Sequence, residues 1–341
     1  MVFAVALLGG ALGEAFGLGF LGAPLAAIQI PAESLTSNPV IGGFRVTNTM
    51  LATWIAIVAL LILTWRVRSK QTEIPGRLQG IVEVILEFFL GLAEGIAGRE
   101  RGRRFFPLVM TIFLFILTAN WLGILPGFGT IGRVETISEI EHHHCDKYED
   151  HDSPEYKDCI SHVSHRSVQV FEGDGALAYQ PFGSVGSNVT IEEWEEHPQQ
   201  GRQAGILVPF FRSANTDLNT TLAIAIVAMV MIHFWAFSTI GFGSHIGKFI
   251  NFRGGPIALY VGILEGISEI AKLISFTFRL FGNIFAGEVL LAAMIFMIPL
   301  IGIIPFLGLE LFVGMVQAFI FSMLTLVFAA TASVAHNGDH H

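Results

Sequence analysis

Between Pro256 and Pro299 the chain runs without a proline through a largely apolar stretch, and its middle part, "EGISEIAKLISFTFRLFGNIFAGE" from 265 to 288, holds five ionisable side chains. About 40 helical residues at 1.5 Å each make a rod of about 60 Å, twice the roughly 30 Å hydrocarbon core of a bilayer. Such a helix must tilt steeply, bend at Gly282 or Gly287, or extend beyond the bilayer.

The remainder of the chain supplies companions for it. "TMLATWIAIVALLILTW" (49 to 65), Phe105 to Leu125, Asp217 to Ile240 and Pro305 to Val334 are each long and apolar enough to span. Asp217 and Asn219 suit the N-terminal positions of the third of these. Residues 78 to 97 differ: Glu83, Glu87 and Glu94 share one face, while Ile81, Val84, Ile85, Phe88 and Leu92 lie largely on the other, the pattern of a helix in the interface. The apolar, Gly-rich residues 1 to 23 lack a basic signal-peptide flank, carry Glu14 mid-run, and read as an interfacial or short helix. With 52% hydrophobic and 14% charged residues, the expectation is an all-α integral membrane protein of about five spans plus an interfacial amphipathic helix. It divides into a segment 1-48, two spans with the interfacial helix at 49-126, an insertion at 127-208, and C-terminal helices at 209-335.

Charge sets the orientation. The linker between the first two spans carries Arg66, Arg68, Lys70, Arg77, Arg99, Arg101, Arg103 and Arg104, which places it in the cytoplasm. Residues 135 to 200 hold 15 of the 28 acidic residues against Lys147, Lys157 and Arg166 alone, so the insertion and the N-terminus lie outside. The loop with Lys248 and Arg253, and the C-terminus, are then inside.

At about 100° per residue, Glu265, Ser268, Glu269, Lys272, Ser275, Arg279 and Asn283 form one polar stripe, interrupted by Phe276. Glu288 faces another side at another depth, and Glu310 and Gln317 share a face of the last span. An arginine keeps its proton in a protein and is costly at membrane depth, so it marks an ion path by default. Glu288 and Glu310 can take up and release protons, whereas Arg279 repels any cation attempting a direct passage. The residues alone therefore describe a barrier between two aqueous vestibules, with a polar stripe that invites a partner bearing a carboxylate.

"EGISEIAKLISFTFRLFGNIFAGE" and "QAFIFSMLTLVF" (317 to 328) resemble the signature helix and last helix of the F-type ATP synthase subunit a family, bacterial type. "TNTMLATW", "FFPLVMTIFLFILTANWLGILPG" and "NTDLNTTLAIAI" carry weaker similarity, and the acidic insertion lies outside it. The resemblance implies a proton-translocating stator subunit in a bacterial plasma membrane, with a long tilted helix pair facing a ring of c subunits. Its partners would be that c-ring, the subunit b peripheral stalk and the rest of the F1Fo complex, with membrane lipids around it and no nucleic acid. Arg279 would be the essential arginine facing the ring carboxylates, Glu288 the polar residue of an access channel, and Gln317 the glutamine near the arginine. Asn283 belongs to the "LFGN" motif and Ser275 to a small polar position beside the arginine. Glu310 stands where some members have a histidine. Glu265, Ser268, Glu269, Lys272 and Asp217 complete the expected proton path.

The insertion contains His142, His143, His144, Cys145, His151, Cys159, His162 and His165, which suit zinc or copper in type but match no standard module in spacing. Three readings stand: a Cys145–Cys159 disulfide, a structural metal, or a solvated acidic loop. Its charge would either concentrate protons near a channel entrance or serve a stator contact. A stand-alone ion channel or secondary transporter is the competing function, although no internal repeat or pair of broken helices is visible. No phosphate-binding GxxxxGK[ST] motif occurs, so the chain does not itself hydrolyse nucleotide.

Overall fold

A computed structural model describes residues 32–35, 45–69, 71–72, 75–125, 128–129, 131–145, 148, 153–172, 177–179, 189–241, 255–297 and 303–333. The helix expected in residues 1 to 23 and the loop holding Lys248 and Arg253 lie outside them.

The helices follow the apolar runs. They are α1 (Asn48–Ser69), α2 (Arg77–Ala97), α3 (Arg99–Ile124), three short helices α4 (Ile137–Cys145), α5 (Pro154–Ser164) and α6 (Ile191–Glu196), then α7 (Leu218–Ile240), α8 (Gly255–Met297) and α9 (Ile303–Ala332). Five described helices, α1, α3, α7, α8 and α9, are long and apolar enough to cross a membrane. Most of the described residues are helical. The protein is α8 at its longest: 43 residues in one helix, about 65 Å, so it exceeds the hydrocarbon thickness unless tilted.

The chain divides into two compact units. One comprises residues 53–122, 214–285 and 311–341, and its core is built from α2, α3, α7, α8 and α9. Lipid tails are as apolar as leucine, so helices in a membrane associate through close packing rather than through exclusion of water. Small residues accordingly fill the contacts: Ala93, Ala225, Ala228, Ala318 and Ala329 are buried. Phe89 packs on Phe113 with ring centroids 4.3 Å apart, Phe105 on Trp235 at 4.5 Å, and Phe276 stacks on Phe321 at 4.7 Å.

A left-handed Gly98 (φ +80°) separates α2 from α3. Gly102 then lets α3 approach α2 so closely that a Cβ would lie 2.5 Å from the Ala93 carbonyl oxygen. The α2 face carrying Phe89, Ala93 and Ala97 is buried, while Ile81, Val84 and Phe88 are exposed. Exposed apolar side chains beside carboxylates suit a helix at the membrane interface.

The other unit comprises residues 1–52, 123–213 and 286–310, and it contains a β-sheet that the sequence reading did not anticipate. Strands β1 (Ile131–Thr136), β2 (Ser167–Glu172), β3 (Leu177–Tyr179), β4 (Val189–Thr190) and β5 (Arg202–Pro209) pair antiparallel in the order β3-β1-β5-β2-β4. Central β5 meets β1 in the register Gly132↔Pro209 to Thr136↔Gly205 and β2 from Gln169↔Gly205 to Glu172↔Arg202. Ile140, Val163, Val168, Ile191 and Ala204 form a small core there.

Capping fixes the short helices. Ser153 Oγ accepts from the Tyr156 N–H at 3.2 Å ahead of Pro154, and Thr190 and Glu193 form a reciprocal capping box on α6. Cys145 at the end of α4 is joined to Cys159 in α5 by a disulfide, with Cα atoms 6.0 Å apart.

Candidate functional site

Arg279 lies midway along α8, beside Phe276 and Leu280, which turn inward to the core. Glu265, Ser268, Ser275 and Asn283 are exposed, and Arg279 is half-buried. The hydrophobic neighbours thus fix which side of the helix is left for a partner. Within the chain the guanidinium donates from Nη2 to Ser275 Oγ at 3.4 Å, one turn back. That neutral contact does not compensate its charge.

One turn beyond, Asn283 Nδ2 donates to Gln317 Oε1 at 2.6 Å, joining α8 to α9. Gln317 is 2% exposed, and its Nε2 is buried with no hydrogen-bond partner among the described residues. On the other side of the arginine, Lys272 Nζ donates to Glu269 Oε1 at 2.7 Å and lies 5.1 Å above the Phe328 ring. His233 on α7 brings its Nε2 to 3.9 Å from Glu269 Oε2.

Glu288 belongs to the sheet-containing unit and is held there by Arg212, three residues past the end of β5. Arg212 Nε and Nη2 each donate at 3.1 Å, to Oε1 and Oε2 respectively. The guanidinium side chain is 6% exposed and that of Glu288 43%, so a buried cation presents a carboxylate that water still reaches. The fork geometry of arginine suits this two-point grip. Glu310 is buried with its carboxylate against Gly287, the residue preceding Glu288. A Cβ at Gly287 would collide with that carboxylate, so the glycine reserves its place.

A second carboxylate joins this group from far away in sequence. Ser34 bridges to Thr47, and the Asn48 N–H donates to the Glu33 carbonyl oxygen at 3.1 Å. Asn48, fully buried, also donates from Nδ2 to Glu33 Oε2 at 3.1 Å and to the Pro209 carbonyl oxygen at 3.3 Å. Burial pushes the Glu33 carboxyl up to about 7; Arg212 and Asn48 draw it down, while Glu135 and Glu288 add repulsion.

The structure therefore brings together Asn283 with Gln317, Glu269 with Lys272, Arg279 with Ser275, and Glu288 with Glu310 through Gly287. Asp217 instead caps α7, its Oδ1 accepting from the Asn219 N–H at 3.0 Å. Sequence reasoning passed over Arg212, Glu33 and His233. Arg212 carried a usable signal, since "ILVPFFRSANTD" (206 to 217) holds one cation in an apolar run.

The metal reading of the insertion does not hold for its cysteines, whose sulfurs are joined to each other. The described histidines diverge as well: His162 approaches Asp158 at 3.8 Å, His165 approaches Glu192 at 3.3 Å, and His144 Nε2 meets Arg166 Nη1 at 2.7 Å. His142 is exposed, while His151 and the His143 side chain lie outside what is described. Among the described residues no three metal-binding groups converge.

Residues 50–330 match the family model described as ATP synthase A chain. The chain is 27% identical over 303 residues to ATP synthase subunit a of Desulforamulus reducens, covering 86% of this chain and 82% of that protein. It is 24% identical to the subunit a of Moorella thermoacetica (87% and 95% covered) and 29% identical to that of Mycobacterium ulcerans (86% and 90% covered).

Proposed function

The chain belongs to the ATP synthase A chain family, and from that premise we propose that it is the proton-translocating stator subunit of an F-type ATP synthase. It is a multi-pass membrane subunit that carries no ATP chemistry of its own. Arg279 is the fixed charge separating two aqueous half-channels, and a ring of carboxylate-bearing c subunits is the partner that meets its stripe. The peripheral stalk subunit b and the rest of the F1Fo complex hold the chain against that ring. The N-terminus faces outside and the C-terminus the cytoplasm, as the basic linker between α1 and α3 favours.

One observation carries the reading: Arg279, half-buried beside the core residues Phe276 and Leu280, donates to the neutral hydroxyl of Ser275. A permanent cation at membrane depth is costly unless an anion or water meets it, and the exposed stripe leaves that role to a partner. A proton released near the arginine cannot pass it as a free cation. It travels instead on a carboxylate of the ring, neutral while in lipid and ionised as it faces Arg279.

Glu288, with Glu310 against its neighbour Gly287, serves the outer half-channel. Glu269, Lys272, Ser268 and Glu265 serve the inner one, with His233 beside Glu269. Asn283 and Gln317 hold α8 and α9 together beside the barrier.

The test is Arg279→Ala in the assembled complex, reconstituted in vesicles, with ATP-driven proton pumping as the readout. Loss of coupled pumping is expected. Coupled pumping at the normal rate overturns the assignment.

A further inference from the structure

We propose that Glu33, supplied by the segment ahead of α1, is a further proton-relay residue of the outer half-channel, handing protons to Glu288 beside a permanently charged Arg212. This extends the stator reading given above and rests on it.

The segment is built to hold a side chain. Leu35 N–H donates to the Val46 carbonyl oxygen at 2.9 Å, Ser34 bridges to Thr47, and Asn48 anchors Glu33 through both its backbone and its amide. The same amide donates to the Pro209 carbonyl oxygen, which fixes the Glu33 carboxylate near the end of β5, three residues before Arg212, whose charge acts on it.

Charge counting points the same way. Asn48 from α1 bonds to Glu33, and the charges of Glu135 on β1, Arg212 after β5 and Glu288 on α8 act on its carboxyl. Three carboxylates around one guanidinium cannot all be ionised without repulsion, so one retains a proton near neutral pH. Arg212 is committed to Glu288 by its two-point grip. The retained proton falls to Glu33, whose carboxyl is pushed up to about 7 and so both accepts and donates at working pH.

The step balances without any other reactant. A proton from external water makes the O–H bond of Glu33; that bond then breaks as an O–H bond forms on Glu288 by way of water, and Arg212 stays protonated throughout. As Glu288 becomes neutral its grip by Arg212 weakens, and as Glu33 becomes anionic it inherits the attraction of the guanidinium. The cation thus has a carboxylate to pair with at every stage.

The experiment compares Glu33→Gln, Glu33→Asp and Arg279→Ala in assembled complexes in vesicles, with proton flux measured against the pH of the outer face. Glu33→Gln is expected to lower flux on the order of tenfold and to remove the inflection near pH 7, while Glu33→Asp restores it. Unchanged flux, or a lower flux with the inflection intact, overturns the proposal, the latter marking a merely structural residue. If Arg279→Ala abolishes coupling while Glu33→Gln changes nothing, the relay fails and the stator reading stands; if Arg279→Ala leaves coupling intact, the stator reading itself fails. Should Glu33→Gln not assemble, carbodiimide labelling of the unaltered complex, read by mass spectrometry against exposed Glu155, takes its place. Glu33 labelling that persists to about pH 7 is expected, and labelling that falls away together with Glu155 overturns the proposal.

Discussion

Arg212 holds Glu288 by two nitrogens at 3.1 Å, although 76 residues separate them and only the carboxylate is open to water. The pair makes Glu288 a carboxylate of fixed orientation, and the cation that fixes it lies beyond reach of substitution by solvent.

Arg212→Ala should release Glu288 and cost stability. Breaking a buried ion pair usually costs about 3–5 kcal/mol, but water re-solvates the half-exposed Glu288, so about 1–2 kcal/mol is expected here. Arg212→Lys should recover only part of it, because an ammonium cannot grip both oxygens. Thermal unfolding of the purified complex checks this, and adding Glu288→Gln to Arg212→Ala should recover most of the loss.

Pairing of Asn283 with Gln317 predicts a separation of stability from activity. Asn283→Ala leaves the buried Gln317 oxygen without its donor, for about 1–2 kcal/mol. Replacing both, with Gln317→Leu, removes the unpaired group and should restore most of the stability. Proton pumping by the double variant should stay low if the two amides serve the barrier beside Arg279, and a recovery of pumping would assign them to packing alone.

Glu33 gives a pH dependence of stability with a definite sign. Its carboxyl rises from 4.5 to about 7 on folding, so the folded chain binds this proton more tightly than the unfolded one. The contribution is present in full below about 4.5 and is lost as pH rises through about 7, at most about 3 kcal/mol. Glu33→Gln should therefore melt near the wild-type temperature at pH 5 and above it at pH 8; equal differences at both pH values would contradict this origin.

Cys145 and Cys159 close a separation of 14 residues, and removing such a bridge costs about 3 kcal/mol in the chain-entropy picture. Replacing both by serine should raise hydrogen exchange in α4 and α5, which it joins, while leaving α7 and α9 protected. Exchange measured by mass spectrometry on the assembled complex decides the point.

The membrane helices were legible because proline, glycine and charge punctuate the apolar runs: the run from Asp217 to Ile240 became α7 with Asp217 as its cap, and the proline-free stretch became α8 from Gly255 to Met297. The alternation of Val168 and Val170 in β2 was hidden within an acidic segment, and its partner β5 begins at Arg202. A strand's identity depends on what pairs with it, which local periodicity does not carry. The same limit hid Arg212 and Glu33. The stripe on α8 could be drawn from one helix's geometry, whereas the grip on Glu288 joins distant stretches, and the Asn48–Pro209 contact spans 161 residues.

The pairing of Gly132 with Pro209 means that the polypeptide leaves toward the insertion and comes back from it at one doorway. For the chain on either side, everything between is topologically equivalent to a short turn. A cassette mounted this way is free to lengthen, shrink or change its surface over evolutionary time while the ends it hangs from stay clasped. Arg212 stands three residues past the returning strand, just beyond that clasp. Its hold on Glu288 is made beyond the paired ends, by a side chain that the sheet itself does not contain.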